Sequence, residues 1–281
     1  MRFFRLIALM TLIFGCSPTS NNPDRIEWTT MGTIAAVQTR GEDTARALAE
    51  NQRIIRDVFE QIERLLNAHN ADSEISKLAK YADDEAVKAA DESCRPCYQA
   101  AFDLGRISGG AFNPRWRGAL TLDLGAIAKG YAVDKAAESV LQNTNKAADC
   151  LIDLGGNIKS VIGDWKVGVK NPADEGFAAT VILGQGEALA TSATYYRGNH
   201  IYDGRTNKPV TNKVASVTVL CESAMWADGL STTLFVLGPE EGCSFMERHC
   251  RDLRLKGNVA VLWILETGAK ITWGAPRFSK F

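Results

Sequence analysis

Asp228 and Thr232 are the two polar residues whose types and spacing most clearly suit chemistry. They lie in a segment whose leucines recur at helical spacing and which ends at Gly238-Pro239. Because residues i and i+4 share one helix face, the carboxylate and the hydroxyl project on the same side. Oxygen atoms of this kind suit Mg²⁺, which completes its coordination with water and phosphate oxygens. In the alternative interpretation, Asp228 caps the helix and Thr232 bonds to its own backbone.

A candidate phosphate site lies between Leu120 and Asp134. An apolar run with strand-like alternation ends in a glycine turn at Gly125, and a helical pattern follows. A strand, a glycine turn and a helix N-terminus together present free N–H groups and the positive end of the helix dipole, which suits a phosphate. Lys129 adds a cation in the first helical turn, and Asp123 is placed to hold a ribose, a base edge or a metal. A purely architectural glycine turn is the alternative.

His200 is a candidate general base, because a histidine changes protonation state near neutral pH. It opens a motif that continues with turn residues at Asp203-Gly204 and Asn207-Lys208-Pro209. The stretch Leu189–Thr194 before it carries small side chains, which let the backbone approach a ligand closely. A structural role for this histidine is the alternative.

The strand and helix patterns that would position these residues alternate irregularly, which favours an α+β fold. Predicted helices cover Thr44–Asn67, Cys97–Ser108, the Asp228 segment and Glu240–Arg251. Predicted strands cover Ile34–Thr39, Trp165–Lys170, Thr180–Leu183, Val214–Leu220 and a closing hairpin of Val259–Leu265 with Lys270–Trp273. A strand-helix-strand unit is predicted from Leu120 to Asp153. No G-x-G-x-x-G or P-loop motif occurs, which disfavours Rossmann and Walker-type sites.

Composition describes an ordinary globular protein. Of the 281 residues, 46% are hydrophobic and 23% are charged, so the chain can build a core. The net charge of −1 gives no sign of a nucleic-acid partner.

The N-terminus predicts export. Arg2 and Arg5 precede an apolar run, and Ile13-Phe14-Gly15-Cys16 resembles a lipobox. We expect a lipoprotein signal peptide over residues 1–15, a lipidated Cys16 with a tether over residues 16–26, and one domain over residues 27–281. The protein would be an exported, membrane-anchored lipoprotein that faces the periplasm. An ordinary cleaved signal peptide is the alternative.

Six further cysteines permit disulfides in an exported protein, and they are Cys94, Cys97, Cys150, Cys221, Cys243 and Cys250. Cys94 and Cys97 have the spacing of a redox pair, but no thioredoxin-like strand precedes them. We therefore expect a local disulfide between these two residues. A disulfide oxidoreductase built on the pair is an alternative function.

The order of the motifs resembles the ApbE family, the FAD:protein FMN transferases. The blocks that carry the resemblance are Met31-Gly32-Thr33, Asp72–Ser76, Gly110–Asn113, Asp123–Asp134, Ala190–Ser192, His200–Asp203 and Ala227–Thr232. Each block is weak alone, whereas the ordered set is specific and runs over nearly all of the expected domain.

The resemblance implies a single T-fold-like domain with mixed and antiparallel sheets and packed helices. It implies transfer of FMN from FAD to a threonine of an exported or membrane acceptor, such as an Rnf- or Nqr-type electron-transport subunit, with release of AMP. It assigns FAD binding to Met31, Ala111, Phe112, Asn113, Asp123, Lys129 and Ile201. It assigns Mg²⁺ to Ala126 (through its carbonyl), Asp228 and Thr232, and the role of base to His200.

The chain departs from the family pattern at several of these blocks. His69 stands where many members carry a tyrosine, Asn113 replaces a usual aspartate and Gly204 a usual proline. Only Pro114–Thr121 joins the Gly110 and Asp123 blocks, where members carry a longer segment. Two further functions stay open: an FAD pyrophosphatase, in which water replaces the threonine hydroxyl, and a non-catalytic FAD-binding lipoprotein. The aromatics best placed to cover the flavin ring are Phe112, Trp116, Tyr195 and Tyr196.

Overall fold

The structure, a computed structural model, describes residues 24–41, 43–144, 148–194, 201–251, 253, 255 and 259–280. Its strands are β1 (Asp24–Thr30), β2 (Thr33–Gly41), β3 (Ala148–Leu154), β4 (Asn157–Ile162), β5 (Trp165–Lys170), β6 (Phe177–Leu183), β7 (Ala188–Ala193), β8 (Tyr202–Asp203), β9 (Lys208–Pro209), β10 (Val214–Cys221), β11 (Ala260–Leu265), β12 (Lys270–Gly274) and β13 (Ser279–Lys280). Its helices are α1 (Thr44–Leu66), α2 (Glu74–Leu78), α3 (Asp83–Ala89), α4 (Arg95–Ile107), α5 (Ala128–Asn143) and α6 (Ala224–His249).

An eight-stranded antiparallel sheet is the frame of the molecule. Its strands lie in the order β1-β2-β3-β4-β7-β10-β11-β12. Helices α1, α5 and α6 pack on one face, and the small sheet β13-β6-β5 covers part of the other. The central strands therefore carry buried apolar side chains on both faces. In β3, for example, Ile152 joins the core under the helices, whereas Leu151 joins the core under the small sheet.

Helix α1 shows how the sequence pattern produces this packing. Its buried positions recur at helical spacing, so one face is apolar and lies on the sheet while the rest is solvated. The predicted helix Thr44–Asn67 is confirmed to within one residue, and α4 begins two residues before the prediction, with Pro96 in its first turn.

Helix α6 is interrupted where the sequence predicted an end. Gly238 has φ 73° and ψ 177°, and Pro239 follows it, so the helix stops and restarts at this pair. Both predicted helices, around Asp228 and from about Glu240, are present on either side of the break. Within the described residues no helix is both long and apolar enough to cross a membrane.

Two expectations about elements are wrong. Residues 120–124 form no strand: Leu122 and Leu124 are buried, but Leu120 is 77% exposed, and the segment is held in part by the Asp123 N–H, which donates to the Pro114 carbonyl. Leu122 and Leu124 anchor this segment to the core as a loop, and it has no strand partner. In addition, β1 begins at Asp24, so residues 24–26, expected in the tether, belong to the sheet.

Candidate functional site

Helices α5 and α6 meet at Gly130, and this contact builds the centre of the site. A β-carbon at Gly130 would lie 2.1 Å from the Ala224 carbonyl oxygen and 2.8 Å from Asp228 Cβ. Only glycine allows the backbones to approach this closely. The Gly130 N–H donates to Asp228 Oδ2 at 3.0 Å, so the close approach brings the α6 carboxylate to the first turn of α5.

Asp228 is buried, with 5% exposure, and its carboxylate meets one ammonium group as well as the Gly130 N–H. The Lys129 ammonium lies 3.3 Å and 3.4 Å from its two oxygens and also donates to the Gly125 carbonyl at 2.8 Å. A buried carboxylate is costly unless it is paired, and this pairing offsets the cost. Asp228 does not cap the helix, because Ser223 is the N-cap and accepts the Trp226 N–H.

Hydroxyl groups adjoin this carboxylate. Thr232 lies one turn along α6, and its Oγ1 is 3.0 Å from Ser192 Oγ on β7. Ser192 Oγ also lies 2.8 Å from Ser231 Oγ, and Ser231 donates to the Asp228 carbonyl. The hydroxyl of Thr232 is therefore held by a serine of a neighbouring strand. A bond from this hydroxyl to the backbone of its own helix, the alternative raised above, is not needed to position it.

Asp134 holds the N-terminus of α6 from α5. Its carboxylate accepts the N–H groups of Ala224 and Met225, each at 3.0 Å, and the Ser223 hydroxyl at 2.7 Å. Lys159 on β4 lies 3.0 Å from the same carboxylate. A negative charge at a helix N-terminus is favourable, and here it joins two helices and a strand. It thereby sets the register in which Gly130 meets Asp228.

The donor set expected for Mg²⁺ fits that ion chemically. Asp228 supplies a carboxylate, Thr232 a hydroxyl and Ala126, just before α5, a backbone carbonyl, and all are the oxygen ligands that Mg²⁺ prefers. Three protein oxygens leave positions for water and phosphate. In the described part of the chain, no group of three or more His, Cys, Asp or Glu side chains could hold a metal, so this set depends on neutral oxygens around one carboxylate.

A second group of predicted residues lies where residues 110–113 meet residues 201–205. The Gly204 N–H donates to the Ala111 carbonyl at 3.3 Å, and Asn113 Nδ2 donates to the Gly204 carbonyl at 3.2 Å. A β-carbon at Gly204 would lie 2.3 Å from Asn113 Cβ. Two departures from the family pattern, Asn113 and Gly204, are therefore direct neighbours. Phe112 and Ile201 are buried beside them, with 4% and 8% exposure.

Asp123 links the loop before α5 to the connection Pro114–Thr121. Its Oδ1 accepts the Gly125 N–H at 2.9 Å, and its Oδ2 lies 3.4 Å from Arg117. Met31 lies in a turn with φ 47°, where its N–H donates to Glu63 of α1 at 3.1 Å. His200 lies outside the described residues.

The expected disulfide between Cys94 and Cys97 is absent, since both are free and buried. Burial raises the pKa of the Cys94 thiol to about 12 and that of Cys97 well above its ordinary value. Because only a thiolate attacks a disulfide, these residues are core and not a redox pair. This finding removes the support for a disulfide oxidoreductase.

Sequence reasoning missed three residues that build the site, which are Gly130, Asp134 and Ser192. Gly130 and Asp134 stood inside a recognised block, but contact between α5 and α6 cannot be read from either helix alone. Ser192 lies in the stretch Leu189–Thr194, which stands out in the sequence only by the small size of its side chains. The hydroxyl group of Ser192 is the feature that could have identified it as a site residue.

Comparisons with known proteins identify relatives of this chain. A sequence profile described as "ApbE family" matches residues 31–121 and 115–255. The FAD:protein FMN transferase of Klebsiella pneumoniae (strain 342) is 37% identical over 139 residues, which are 46% of this chain and 43% of that protein. The chain thus spans about half the length of the curated relatives that it matches.

Solved structures share the fold. The flavin transferase ApbE from Vibrio cholerae superposes with a TM-score of 0.68 at 22% identity, over 91% of this chain and 98% of that one. The ApbE protein of Thermotoga maritima gives 0.72 at 20% identity, over 89% and 96%. The predicted α+β fold is confirmed, and with the profile match over more than half of its length, this chain belongs to the ApbE family.

Proposed function

We propose that this protein transfers FMN from FAD to a threonine hydroxyl of an acceptor protein and releases AMP. The observation that carries the proposal is the junction of α5 and α6, where the buried Asp228 meets the Lys129 ammonium, the Gly130 N–H and, one turn on, Thr232. The name FAD:protein FMN transferase, which the aligned relatives carry, supports the same reaction.

The reaction requires little covalent chemistry from the protein. A bond forms between the threonine oxygen and the phosphorus of the FMN half, and the bond from that phosphorus to the bridging oxygen breaks, so that AMP leaves. The nucleophile belongs to the acceptor. Catalysis then consists of positioning the pyrophosphate and neutralising its charge.

Each residue of the junction has a role in this proposal. Ala126, Asp228 and Thr232 would hold Mg²⁺, which supplies the charge neutralisation that phosphoryl transfer needs. Lys129 is the ion-pair partner of Asp228 and could donate to a phosphate oxygen, while the Asp228 carboxylate would bind the metal. His200 would accept the proton of the acceptor threonine.

The acceptor and the cellular location are also proposed. An exported or membrane-bound electron-transport subunit of the Rnf or Nqr type suits an enzyme anchored by lipid on Cys16. Incorporation of labelled palmitate into the wild-type protein, and its loss in Cys16→Ala, tests the anchor. Labelling that persists in the variant would contradict it.

The transferase proposal is tested by incubating the protein with FAD, Mg²⁺ and an acceptor domain that carries a flavinylation threonine. Mass spectrometry is expected to show an FMN adduct on the threonine, dependent on Mg²⁺ and absent with EDTA. AMP release at the same rate with and without acceptor, and no adduct, would identify an FAD pyrophosphatase. FAD that is bound but unchanged would identify a binding protein.

A further inference from the structure

The connection Pro114–Thr121 carries an aromatic stack at the surface. The rings of Trp116 and Tyr202 are stacked, with centroids 4.7 Å apart and planes inclined by 26°. Both side chains are half-buried, and the Arg117 guanidinium carbon lies 4.7 Å from the centre of the Trp116 ring. We propose that Trp116 is the platform on which a planar heteroaromatic ring of the dinucleotide stacks, in the place that Arg117 occupies. This inference rests on the proposed function.

Of the aromatics predicted to cover the flavin, the structure singles out Trp116. Phe112 is 4% exposed and belongs to the core. Tyr195 and Tyr196 lie outside the described residues. Trp116 has a stacked partner beneath it that keeps its ring in one orientation, and a rigid aromatic face binds a nucleotide ring at small entropic cost.

The two arginines of the connection show that Arg117 is the replaceable layer. Arg115 is fixed: its side chain donates to Asp83 and to the carbonyl oxygens of Ala79, Tyr81 and Ala119, over distances of 2.6 to 2.9 Å, and is 16% exposed. Arg117, in contrast, is 42% exposed, and its ion pair with Asp123 is long, at 3.4 Å. A long ion pair with one exposed partner contributes little. The connection is therefore anchored by Arg115, while Arg117 can leave the tryptophan face.

The platform is continuous with the phosphate end of the site. Arg117 contacts Asp123, Asp123 accepts the Gly125 N–H, and the Gly125 carbonyl accepts Lys129, which pairs with Asp228. A ring on Trp116 and a pyrophosphate at Lys129 would thus be connected by a continuous series of contacts. A guanidinium displaced from the ring stays beside these contacts, where it can donate to a phosphate oxygen. The short connection hence supplies a ring-binding residue where family members use a longer segment.

Equilibrium binding tests this inference without turnover. FAD, FMN and ADP are titrated by calorimetry, in EDTA, into the wild type, Trp116→Ala, Trp116→Phe and a control, Trp273→Ala, which removes a half-buried tryptophan from the edge strand β12. We expect Trp116→Ala to weaken FAD binding about 10- to 100-fold, the usual effect of losing one stacking partner. Trp116→Phe should retain most of the affinity, and Trp273→Ala all of it.

The ligand pair identifies the ring. A loss confined to FAD and FMN places the isoalloxazine on Trp116, and a loss confined to FAD and ADP places the adenine there; either supports the inference. A folded Trp116→Ala protein that binds all three ligands like the wild type overturns it while leaving the proposed function intact. A wild type that binds no FAD either in EDTA or with Mg²⁺ overturns both. Circular dichroism melting shows that each variant is folded.

Discussion

Two buried aspartates occupy opposite faces of the large sheet and have contrasting surroundings. Asp228 on the helix face is 5% exposed and meets an ammonium group and a backbone N–H. Asp153 on β3 is 6% exposed and accepts the N–H of Gly156, with a weaker attraction from the Arg25 charge. Burial raises the pKa of Asp153 to about 6, the weaker influence of Arg25 and the Gly156 N–H notwithstanding.

The difference shows how a buried carboxylate is kept available for chemistry. A charge inside a protein needs compensating groups, and the helix junction supplies them through a glycine contact and a lysine. The turn between β3 and β4 supplies only one N–H to Asp153, so the neutral form of this side chain persists to a higher pH than usual. The contrast supports the proposed functional role of Asp228 and a structural role for Asp153, and each of the following substitutions tests one part of that proposal.

The largest effect is expected for Asp228→Asn. The amide keeps the size of the side chain but removes the charge that would hold Mg²⁺ opposite the pyrophosphate. FMN transfer should fall at least about 10²–10³-fold, as when one electrostatic contact of a transition state is lost. The rate of adduct formation measures it. Asp153→Asn is the matched control and should transfer FMN at the wild-type rate; equal losses in the two variants would refute the contrast.

Gly130→Ala should have the largest effect on stability. Its β-carbon would overlap the Ala224 carbonyl, which belongs to the backbone and cannot turn aside. The helices must separate, and we expect the free energy of unfolding in urea to fall by about 3 kcal/mol. Gly184→Ala is the control, because a β-carbon there meets only ordinary contacts of 3.4 Å or more. A Gly130→Ala protein as stable as the control would show that the helices are not in this register.

Asp134→Asn should have a smaller effect, of about 2 kcal/mol, on the free energy of unfolding. The amide loses the charge that faces Lys159, and its NH₂ group opposes the N–H donors that now share the carboxylate. Glu138→Gln on the same helix removes only an exposed pair with Lys135 and should change stability by less than about 0.5 kcal/mol. Chemical denaturation of both variants measures the difference, and equal values would show that Asp134 does not hold α6.

The sequence predicts a residue of this site when the role of that residue depends on a single helix or strand, and misses it when the role depends on contact between two elements. Asp228 and Thr232 are separated by one helical turn, so their common helix is visible as a period in the sequence. The end of that helix at Gly238-Pro239 is visible for the same local reason. The role of Gly130 is not visible in the sequence. It depends on contact with a second helix that lies about a hundred residues further along the chain.

The loop before α5 shows a second kind of failure, in which a local pattern predicts an element that is absent. Leu120, Leu122 and Leu124 alternate as a strand does, but only Leu122 and Leu124 are buried, and an alternating pattern does not show whether a segment has hydrogen-bond partners. The order of strands across the large sheet likewise depends on long-range pairing such as β4 with β7 and β7 with β10. The family resemblance supplied what periodicity could not, because an ordered set of motifs carries the topology with it.

The smallest effect is expected for Asp153→Asn, and its sign depends on pH. The folded pKa of about 6 lies above the ordinary value of 3.8, so the folded state binds more protons than the unfolded state between these values. Ionisation of Asp153 therefore destabilises the fold increasingly as pH rises from about 4 to 6 and fully above that range.

The substitution removes this penalty. The amide carries two N–H donors where the protonated acid carries one O–H, and the additional donor needs a partner in a buried site, which offsets part of the gain in stability. We expect Asp153→Asn to raise the free energy of unfolding by on the order of 1 kcal/mol at pH 7.5 and to leave it unchanged or slightly lowered at pH 4. Urea denaturation at pH 4, 5, 6 and 7.5 measures the trend. A difference between variant and wild type that does not grow with pH would show that burial does not raise the pKa of Asp153, and the contrast with Asp228 would then rest on position alone.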